Sequence, residues 1–286
     1  MTPDNLNRAN GQTHVLLAGA SGYIGHAVAA ELQRRGHRLT SLVRPGHPAV
    51  ASRLRELGEL IEAHVTDPAS LPPLLARRPP IDAVVSCLAS RTGEPADAWQ
   101  IDYQANRSLL EVARRAGAGR FVLLSAICVQ NPLLEFQKAK LAFEAELAAS
   151  GTSHAIVRPT AYFKSLAGQI PRLKQGKPFL LFGDGPGPPS LPISERDLAR
   201  FMVDCVQRAG ELDGVLPIGG PGPAVTPLER GDMLFRMLER RPRYRRLPVG
   251  LFDAVAAPLG LLGRWSPAFA AKAELARIGR FYATEP

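Results

Sequence analysis

The most regular pattern of apolar and polar positions lies near the start of the chain. The apolar run Val15 to Ala18 predicts a buried parallel strand, and the amphipathic stretch after it predicts a helix that ends at Gly36. A second apolar run, Leu39 to Val43, predicts the next strand. Strand, helix and strand within a span of about 30 residues form a βαβ unit, from which parallel sheets are built.

Three glycines, Gly19, Gly22 and Gly25, separate the first predicted strand from its helix. In a dinucleotide-binding turn, the first glycine permits the tight turn, the second lets backbone N–H groups approach the pyrophosphate, and the third lets the helix pack against the strand. A structural glycine turn in another kind of α/β protein is the alternative. The full βαβ context favours an α/β fold with a Rossmann-type doubly wound parallel sheet.

The residues after the second strand bear on the choice between NAD and NADP. NAD enzymes place a carboxylate there to accept hydrogen bonds from the ribose, whereas this chain has Val43, Arg44 and Pro45. We therefore predict that Arg44 pairs with the 2′-phosphate of NADP(H); a solvated loop arginine is the alternative. Asp67 is either a neighbour of the adenine or an ordinary helix-start residue.

A fourth strand is predicted within IDAVVSCLAS. Its last residues, Cys87, Leu88 and Ala89, should run beside the cofactor, because ligands bind at the carboxyl ends of parallel strands. Cys87 is interpreted as a packing residue.

Composition narrows the class of protein. The chain has 286 residues, of which 45% are hydrophobic and 21% charged, as expected for one large α/β domain with or without a smaller lobe. The three cysteines are widely spaced, which predicts no protein metal site and no disulfide framework. Residues 1–13 lack the pattern of a targeting segment, so we expect a flexible tail and a cytoplasmic protein.

The net charge of +9 is spread along the chain, with one dense cluster from Arg240 to Arg246. A nucleic-acid binder is expected to carry its charge on one element with aromatic interleaving, so this spread of charge disfavours nucleic acid. An anionic small molecule or an acidic membrane surface fits at least as well. The apolar stretch from Leu247 to Gly263 is interrupted by Asp253 and Pro258 and is shorter than the ~20 residues of a membrane span. We expect a core or cleft-lining helix; peripheral membrane contact is the alternative.

The middle of the chain carries a family resemblance. The segment WQIDYQANRSLLEVARRAGAGRFVLLSA resembles the extended and atypical short-chain dehydrogenase/reductases, with Ser125 at the position of their catalytic serine. FVLLSAICVQNPLLEFQKAKLAFEAEL, GKPFLLFGDG and the terminal RIGRFYATE are similar to the divinyl chlorophyllide 8-vinyl reductases, and the likeness runs from Val15 to Glu285. The resemblance implies NADPH-dependent reduction of the C8 vinyl group of a divinyl (proto)chlorophyllide, a tetrapyrrole of (bacterio)chlorophyll biosynthesis.

The Tyr-x-x-x-Lys box of these reductases is altered: Phe136 replaces the tyrosine, and Lys140 is retained. Carbonyl reduction develops charge on oxygen, which a tyrosine hydroxyl can protonate. A vinyl group has no such oxygen, and charge can delocalise into the macrocycle, so a phenyl ring costs nothing chemically. A non-catalytic NADP(H)-binding regulator or assembly factor of the same fold is the alternative, since it too would lack the tyrosine.

Lys140 is predicted to hydrogen-bond the nicotinamide ribose, with a solvated helix lysine as the alternative. Ser125 is predicted to hydrogen-bond the nicotinamide amide, a water or the pigment. Tyr162 is the first candidate proton donor, and Lys164 is a candidate for a substrate carboxylate or for proton delivery; core packing is the alternative for Tyr162. The candidate catalytic residues are Lys140, Tyr162, Ser125, Phe136 and Lys164. The candidate cofactor contacts are Gly19, Ser21, Gly22, Tyr23, Ile24, Gly25, Arg44, Asp67, Leu88, Ala89 and Lys140.

The strict alternation of strand and helix is lost after Pro159. We expect residues 14–160 to form the NADP-binding domain, with 194–217 returning to it. Residues 161–193 and 218–286 are expected to form a smaller substrate-binding lobe. The returning segment should be an amphipathic helix with Leu198, Phe201, Met202 and Val206 in the core.

Overall fold

The computed structural model describes residues 12–46, 48–67, 71 and 79–285. The chain divides into two compact units. The first comprises Met1–Arg91, Pro95–Pro159 and Glu195–Ile218, and the second comprises Thr92–Glu94, Thr160–Ser194 and Gly219–Pro286. The tail predicted for residues 1–13 lies outside the described residues except for its last two.

The first unit is built on a parallel sheet. Seven described strands pair in the order β3-β2-β1-β4-β5-β6-β8. They are β1 (His14–Ala18), β2 (Arg38–Val43), β3 (Glu59–Glu62), β4 (Ala83–Ser86), β5 (Arg120–Leu124), β6 (His154–Pro159) and β8 (Gly214–Ile218). The helices are α1 (Tyr23–Arg34), α2 (Pro48–Arg55), α3 (Pro95–Ala98), α4 (Asn106–Arg115), α5 (Glu135–Ala149) and α8 (Glu195–Gln207), with a π-helix at Trp99–Ala105 and a 3-10 turn at Ile127–Gln130.

The central strands are buried along their whole length. All residues of β1, β4 and β5 are buried, because helices cover the faces of a parallel sheet and leave no polar side to alternate with. β1 pairs with β2 on one side and with β4 on the other, so the strand order reverses direction at β1 and β4. The predicted doubly wound α/β fold is confirmed, and this reversal is where such sheets bind ligands.

Helix α8 belongs to the first unit and is amphipathic. Leu198, Met202 and Val206 are buried on one face, while Phe201 is only half-buried. Arg35, just after α1, donates 2.7 Å and 2.5 Å hydrogen bonds to Glu31 on its own helix and to Asp204 on α8. Helices α1 and α8 are therefore held by both apolar packing and a partly buried ion-pair network.

The second unit contains a parallel pair of strands, β7 (Phe179–Phe182) and β9 (Tyr244–Leu247). Its helices are α6 (Phe163–Leu166), α7 (Ile170–Lys174), α9 (Pro227–Met237), α10 (Gly250–Leu262) and α11 (Pro267–Thr284), with a 3-10 turn at Ala167–Gln169. Its small core consists of Leu173, Phe179, Leu181 and Phe235. The ring of Tyr244 packs against Phe235, and its hydroxyl donates to Asp232.

Helix α10 corrects one expectation. The apolar stretch was expected to be a core or cleft-lining helix, but Ala256 is its only buried residue, and Leu251, Val255, Leu261 and Leu262 are exposed. The expectation of a core helix is wrong, because high apolar content does not determine how many neighbours cover a helix: α10 packs against α11 and leaves a wide face open.

Among the described residues, no helix has both the length and the apolar character to cross a bilayer. Contact of α10 with a membrane surface stays a prediction from the sequence.

The arginine cluster before α10 is partly structural. Arg240 donates to the carbonyls of Leu173 and Lys174, Arg243 to that of Gly176, and Arg246 to those of residues 183–185. Three of the cluster's cations therefore satisfy backbone carbonyl groups of their own unit, which reduces the charge available for an external anion.

Candidate active site

The glycine turn after β1 can be built only from glycine at two positions. Gly19 has φ +83°, and a Cβ there would lie 2.5 Å from the carbonyl oxygen of Cys87. A Cβ on Gly25 would lie 2.1 Å from the carbonyl oxygen of Gly19. Both distances are far inside van der Waals contact, so the close approach of the β1 turn, α1 and the exit of β4 requires these glycines.

The start of α1 fits a dinucleotide pyrophosphate. Gly22 is the N-cap and offers no side-chain cap, and the first turn carries no acidic residue. The first backbone N–H groups of a helix have no intrahelical acceptor, and with the helix dipole they favour an anion. Ser21 and Gly22 are exposed, while Ile24 and Gly25 are buried against the sheet. The start of α1 is therefore exposed at the switch point of the sheet and has the backbone geometry to accept an anion.

The other predicted cofactor contacts follow the carboxyl ends of neighbouring strands. Arg44 is exposed directly after β2, and among the described residues its side chain has no ion-pair partner. Leu88 is half-buried and Ala89 exposed after β4. Asp67 is exposed in a turn several residues beyond β3, where its N–H bonds to the His64 carbonyl at 2.9 Å.

Lys140 lies in a buried ion pair. Its Nζ is 2.8 Å from Oδ1 of Asp102, with the lysine side chain 10% and the aspartate side chain 1% exposed. The other carboxylate oxygen of Asp102 accepts a 3.3 Å hydrogen bond from the N–H of Ser90. Lys140 is therefore not the solvated helix lysine that the sequence left open, and Asp102 ties it to the loop that leaves β4.

The π-helix at Trp99–Ala105 positions Asp102 beside this loop. Asn106, one residue beyond it, donates to the Asp102 carbonyl at 2.9 Å and accepts from the hydroxyl of Ser86 at 2.5 Å. Ser86 is the last residue of β4, and its hydroxyl also accepts from the N–H of Leu88 at 3.4 Å. Hydrogen bonds thus link the β4 exit to the π-helix, and the ion pair of Asp102 extends this network to Lys140. Helices of the π type are frequent at functional sites.

Cys87 lies next to Ser86, within this network. Burial raises the pKa of its thiol to about 12, and the Lys140 ammonium only partly opposes that shift. The thiol stays protonated at neutral pH, which agrees with its interpretation as a packing residue.

The hydroxyl group of Ser125 is already hydrogen-bonded within the protein. Its Oγ donates to the buried carboxylate of Glu144, which also pairs with Arg158 at the end of β6. Glu144 follows Lys140 by one turn of α5, so the same helix positions both groups. The hydroxyl proton of Ser125 is committed to Glu144, while its oxygen lone pairs can still accept a hydrogen bond.

Phe136 is half-buried at the start of α5, one turn before Lys140. The next residue, Gln137, is fully buried. Its amide donates to the Cys128 carbonyl at 2.9 Å, and its Oε1 accepts from the N–H of Leu134 at 2.8 Å. Gln137 therefore anchors the first turn of α5 to the loop after β5, which determines where Phe136 emerges.

Tyr23 gains a partner that the sequence did not indicate. Its hydroxyl donates a 2.6 Å hydrogen bond to Glu195, the first residue of α8. Burial, with a further contribution from Glu195, raises the pKa of Tyr23 to about 12, so the phenol stays neutral at physiological pH.

The remaining candidates belong to the second unit. Tyr162 is the half-buried N-cap residue of α6, and its backbone forms a parallel bridge with Ile193. Lys164 is exposed on α6. The structure thus gathers Lys140, Ser125, Phe136 and the cofactor candidates in the first unit, whereas Tyr162 and Lys164 are held by the second.

Sequence reasoning missed Asp102, Glu144 and Glu195 as partners of the candidate residues. The spacing of Phe136, Lys140 and Glu144, four residues each, was a usable signal for Glu144, because it places all three on one helix face. Asp102 and Glu195 are paired across 38 and 172 positions of sequence, and no local pattern predicts such contacts.

Comparison with known sequences identifies related proteins. The family described as NAD(P)H-binding matches residues 19–209. The divinyl chlorophyllide a 8-vinyl-reductase, chloroplastic, of Oryza sativa subsp. indica is 47% identical over 97% of this chain and 71% of its own length. The protein of the same name from Zea mays is 48% identical over 96% of this chain and 71% of its own length.

Among solved structures, the NADPH-dependent quinone oxidoreductase QOR2 of Escherichia coli, complexed with NADPH, is similar in fold. It superimposes with a TM-score of 0.69 at 19% identity, covering 95% of this chain and 91% of that protein. This likeness shows the fold alone.

The buried pair of Asp102 and Lys140 can be tested by stability. Asp102→Asn leaves a desolvated ammonium without its counter-charge, so we expect the free energy of unfolding to fall by about 3 kcal/mol or more in urea titrations. The matched control is Glu111→Gln, which removes the partner of Arg115 in an exposed pair and should cost about 1 kcal/mol or less. Equal losses in the two variants would contradict a buried, stability-determining pair.

Proposed function

Because this chain belongs to the NAD(P)H-binding family and to the divinyl chlorophyllide a 8-vinyl-reductases, we propose that it reduces the C8 vinyl group of divinyl chlorophyllide or protochlorophyllide to ethyl, with NADPH as the reductant. It is an oxidoreductase that uses a nicotinamide cofactor. The observation that carries the proposal is the buried ion pair that anchors Lys140 beside the dinucleotide turn. On the same helix, Phe136 stands where carbonyl reductases carry the tyrosine that acts as the acid.

We assign different ligands to the two units. We assign cofactor binding to the first unit, through the α1 N-terminus, Arg44, Asp67, Leu88, Ala89 and Lys140, and pigment binding to the second. Arg44 supports NADPH over NADH because it is an exposed cation where NAD-specific folds carry an acid. Lys140 hydrogen-bonds the nicotinamide ribose in this proposal, and Asp102 restricts its position.

The reaction adds a hydride to one carbon of the vinyl group and a proton to the other. Bound NADPH supplies the hydride. Phe136 offers an apolar surface to the flat macrocycle. It has no hydroxyl group, and none is needed there because the alkene has no oxygen to be protonated. We assign proton delivery to Tyr162, with Lys164 as the second candidate, and we assign to the Ser125 oxygen a hydrogen bond from the nicotinamide amide or a bound water.

The alternative from the sequence is an NADP(H)-binding regulator or assembly factor without catalysis. Two features favour it, the absence of a hydroxyl at Phe136 and the commitment of the Ser125 proton to Glu144. Both features are also compatible with alkene reduction, so turnover itself distinguishes the two functions.

Turnover is measured by incubating the purified protein with NADPH and divinyl chlorophyllide or divinyl protochlorophyllide. We expect the Soret band to shift to the blue as the vinyl group is lost from conjugation, with one NADPH consumed per vinyl group. Omission of NADPH is the control. Absence of a shift with both pigments would reject the reductase and leave the regulator.

Cofactor preference provides a second prediction. Wild type should prefer NADPH to NADH, and Arg44→Ala should raise the KM for NADPH by about 10- to 100-fold with little change in kcat, because a charge-assisted contact to the 2′-phosphate is shared by ground and transition states. Arg53→Ala, which removes an exposed arginine from α2, is the matched control and should leave this KM unchanged. A wild-type preference for NADH would refute the cofactor assignment.

The proton donor is tested by a pair of substitutions. Tyr162→Phe should lower kcat at least 10-fold without a comparable rise in KM, because general acid catalysis acts on the transition state. Phe136→Tyr, which restores the family hydroxyl, should give no gain in kcat. An unchanged rate in Tyr162→Phe removes Tyr162 from the mechanism, and a large gain in Phe136→Tyr would mean that a tyrosine acid is missing after all.

A further inference from the structure

Arg230 of the second unit is a partly buried cation that forms no ion pair with any described residue. It lies on α9 with its Cζ 5.8 Å from the centroid of the Phe179 ring. Its Nε is buried and has no hydrogen-bond partner. Burial lowers the pKa of Arg230 from its ordinary value, with no carboxylate opposing the shift. Within the described part of the chain, no ion pair reaches this guanidinium.

Other arginines with little exposure are paired. Arg35 bonds Glu31 and Asp204, Arg120 bonds Asp213 together with backbone carbonyls, and Arg158 bonds Glu144. A desolvated cation is costly unless it is paired, which is why this pattern is general in proteins. Arg230 departs from the pattern of these three described arginines.

The carboxylates nearest in sequence are already engaged. Glu229 accepts from the N–H and hydroxyl of Thr226 and thereby caps α9, and Asp232 accepts from the hydroxyl of Tyr244. Arg230 also lies at the end of the first turn of α9, where the helix dipole disfavours a cation. Burial and the helix dipole therefore both disfavour the positive charge of Arg230, and no described carboxylate of its own unit compensates for them.

Resting on the proposed function, we propose that Arg230 binds the free carboxylate of the tetrapyrrole substrate. A chlorophyllide differs from the corresponding chlorophyll in carrying a propionic acid where chlorophyll carries an ester. The planar guanidinium can donate two parallel hydrogen bonds to a carboxylate, and its Cζ lies 5.8 Å from the centroid of the fully buried Phe179 ring. Lys164, the candidate from the sequence, is exposed, and an ammonium acts only as a hydrated point charge.

This assignment makes Arg230 a specificity determinant. Pairing with an unesterified pigment neutralises the guanidinium, whereas an ester would leave it desolvated and unpaired. The protein should therefore select the acid over the ester before any hydride transfer takes place.

The experiment measures pigment binding and turnover separately. The dissociation constants of divinyl chlorophyllide and of its methyl ester are determined by fluorescence titration for wild type and Arg230→Gln, followed by KM and kcat for each pigment. We expect wild type to bind the acid about 10- to 100-fold more tightly than the ester, and Arg230→Gln to bind both at the level of the ester. The KM for NADPH should change little, because cofactor binding is assigned to the first unit.

The matched control is Arg236→Gln, which removes an exposed positive charge from the same helix and should retain the preference for the acid. Arg230→Gln should melt at the wild-type temperature or above it, because it replaces a desolvated, unpaired charge.

Equal binding of acid and ester by wild type would overturn the assignment, as would a preference for the acid that survives in Arg230→Gln. Acid-selective binding that depends on Arg230 but yields no reduced product would support Arg230 while rejecting the reductase function.

Discussion

The close approach of two backbone segments, the turn after β1 and the exit of β4, is the constraint on which the first unit depends. Gly19 lies against the carbonyl group of Cys87, and Gly25 lies against that of Gly19, at distances that no side chain could occupy. This contact brings the N-terminus of α1 beside the carboxyl end of β4. The β4 exit in turn carries Ser90, which contacts Asp102, and Asp102 holds Lys140. The N-terminus of α1 and Lys140 are thus connected through the exit of β4 and Asp102.

Helix α5 shows how a reductase scaffold can change its chemistry without losing its geometry. Phe136, Lys140 and Glu144 lie on one face at intervals of one turn. The lysine keeps its place through a buried pair with Asp102, and Glu144 holds the Ser125 hydroxyl with help from Arg158. Loss of the tyrosine hydroxyl removes one acid but disturbs neither pair, because both are anchored in the core. An apolar ring at position 136 is therefore compatible with both buried pairs.

Many of the arginines in this chain bind groups of the chain itself. Arg240, Arg243 and Arg246 look in sequence like a basic patch for an external partner, yet each donates to backbone carbonyls of the second unit. Arg230 lies outside this cluster, yet among the described residues its partly buried guanidinium has no ion-pair partner. Local charge density is therefore a poor guide to anion sites, because what matters is which cations remain unpaired after folding.

Sequence by itself determined the elements whose signal is local. The βαβ unit, the glycine turn, the missing acid after β2 and the box of Phe136 and Lys140 depend on residues within one or two turns of each other, and they predicted the doubly wound fold and the family. Burial of α10 was predicted wrongly, since apolar content cannot specify how many neighbours a helix has. Tertiary structure alone decided the pairs of Lys140 with Asp102, Ser125 with Glu144 and Tyr23 with Glu195. Those contacts join distant segments, and their partners are selected by packing and desolvation in the folded chain, which no local pattern encodes.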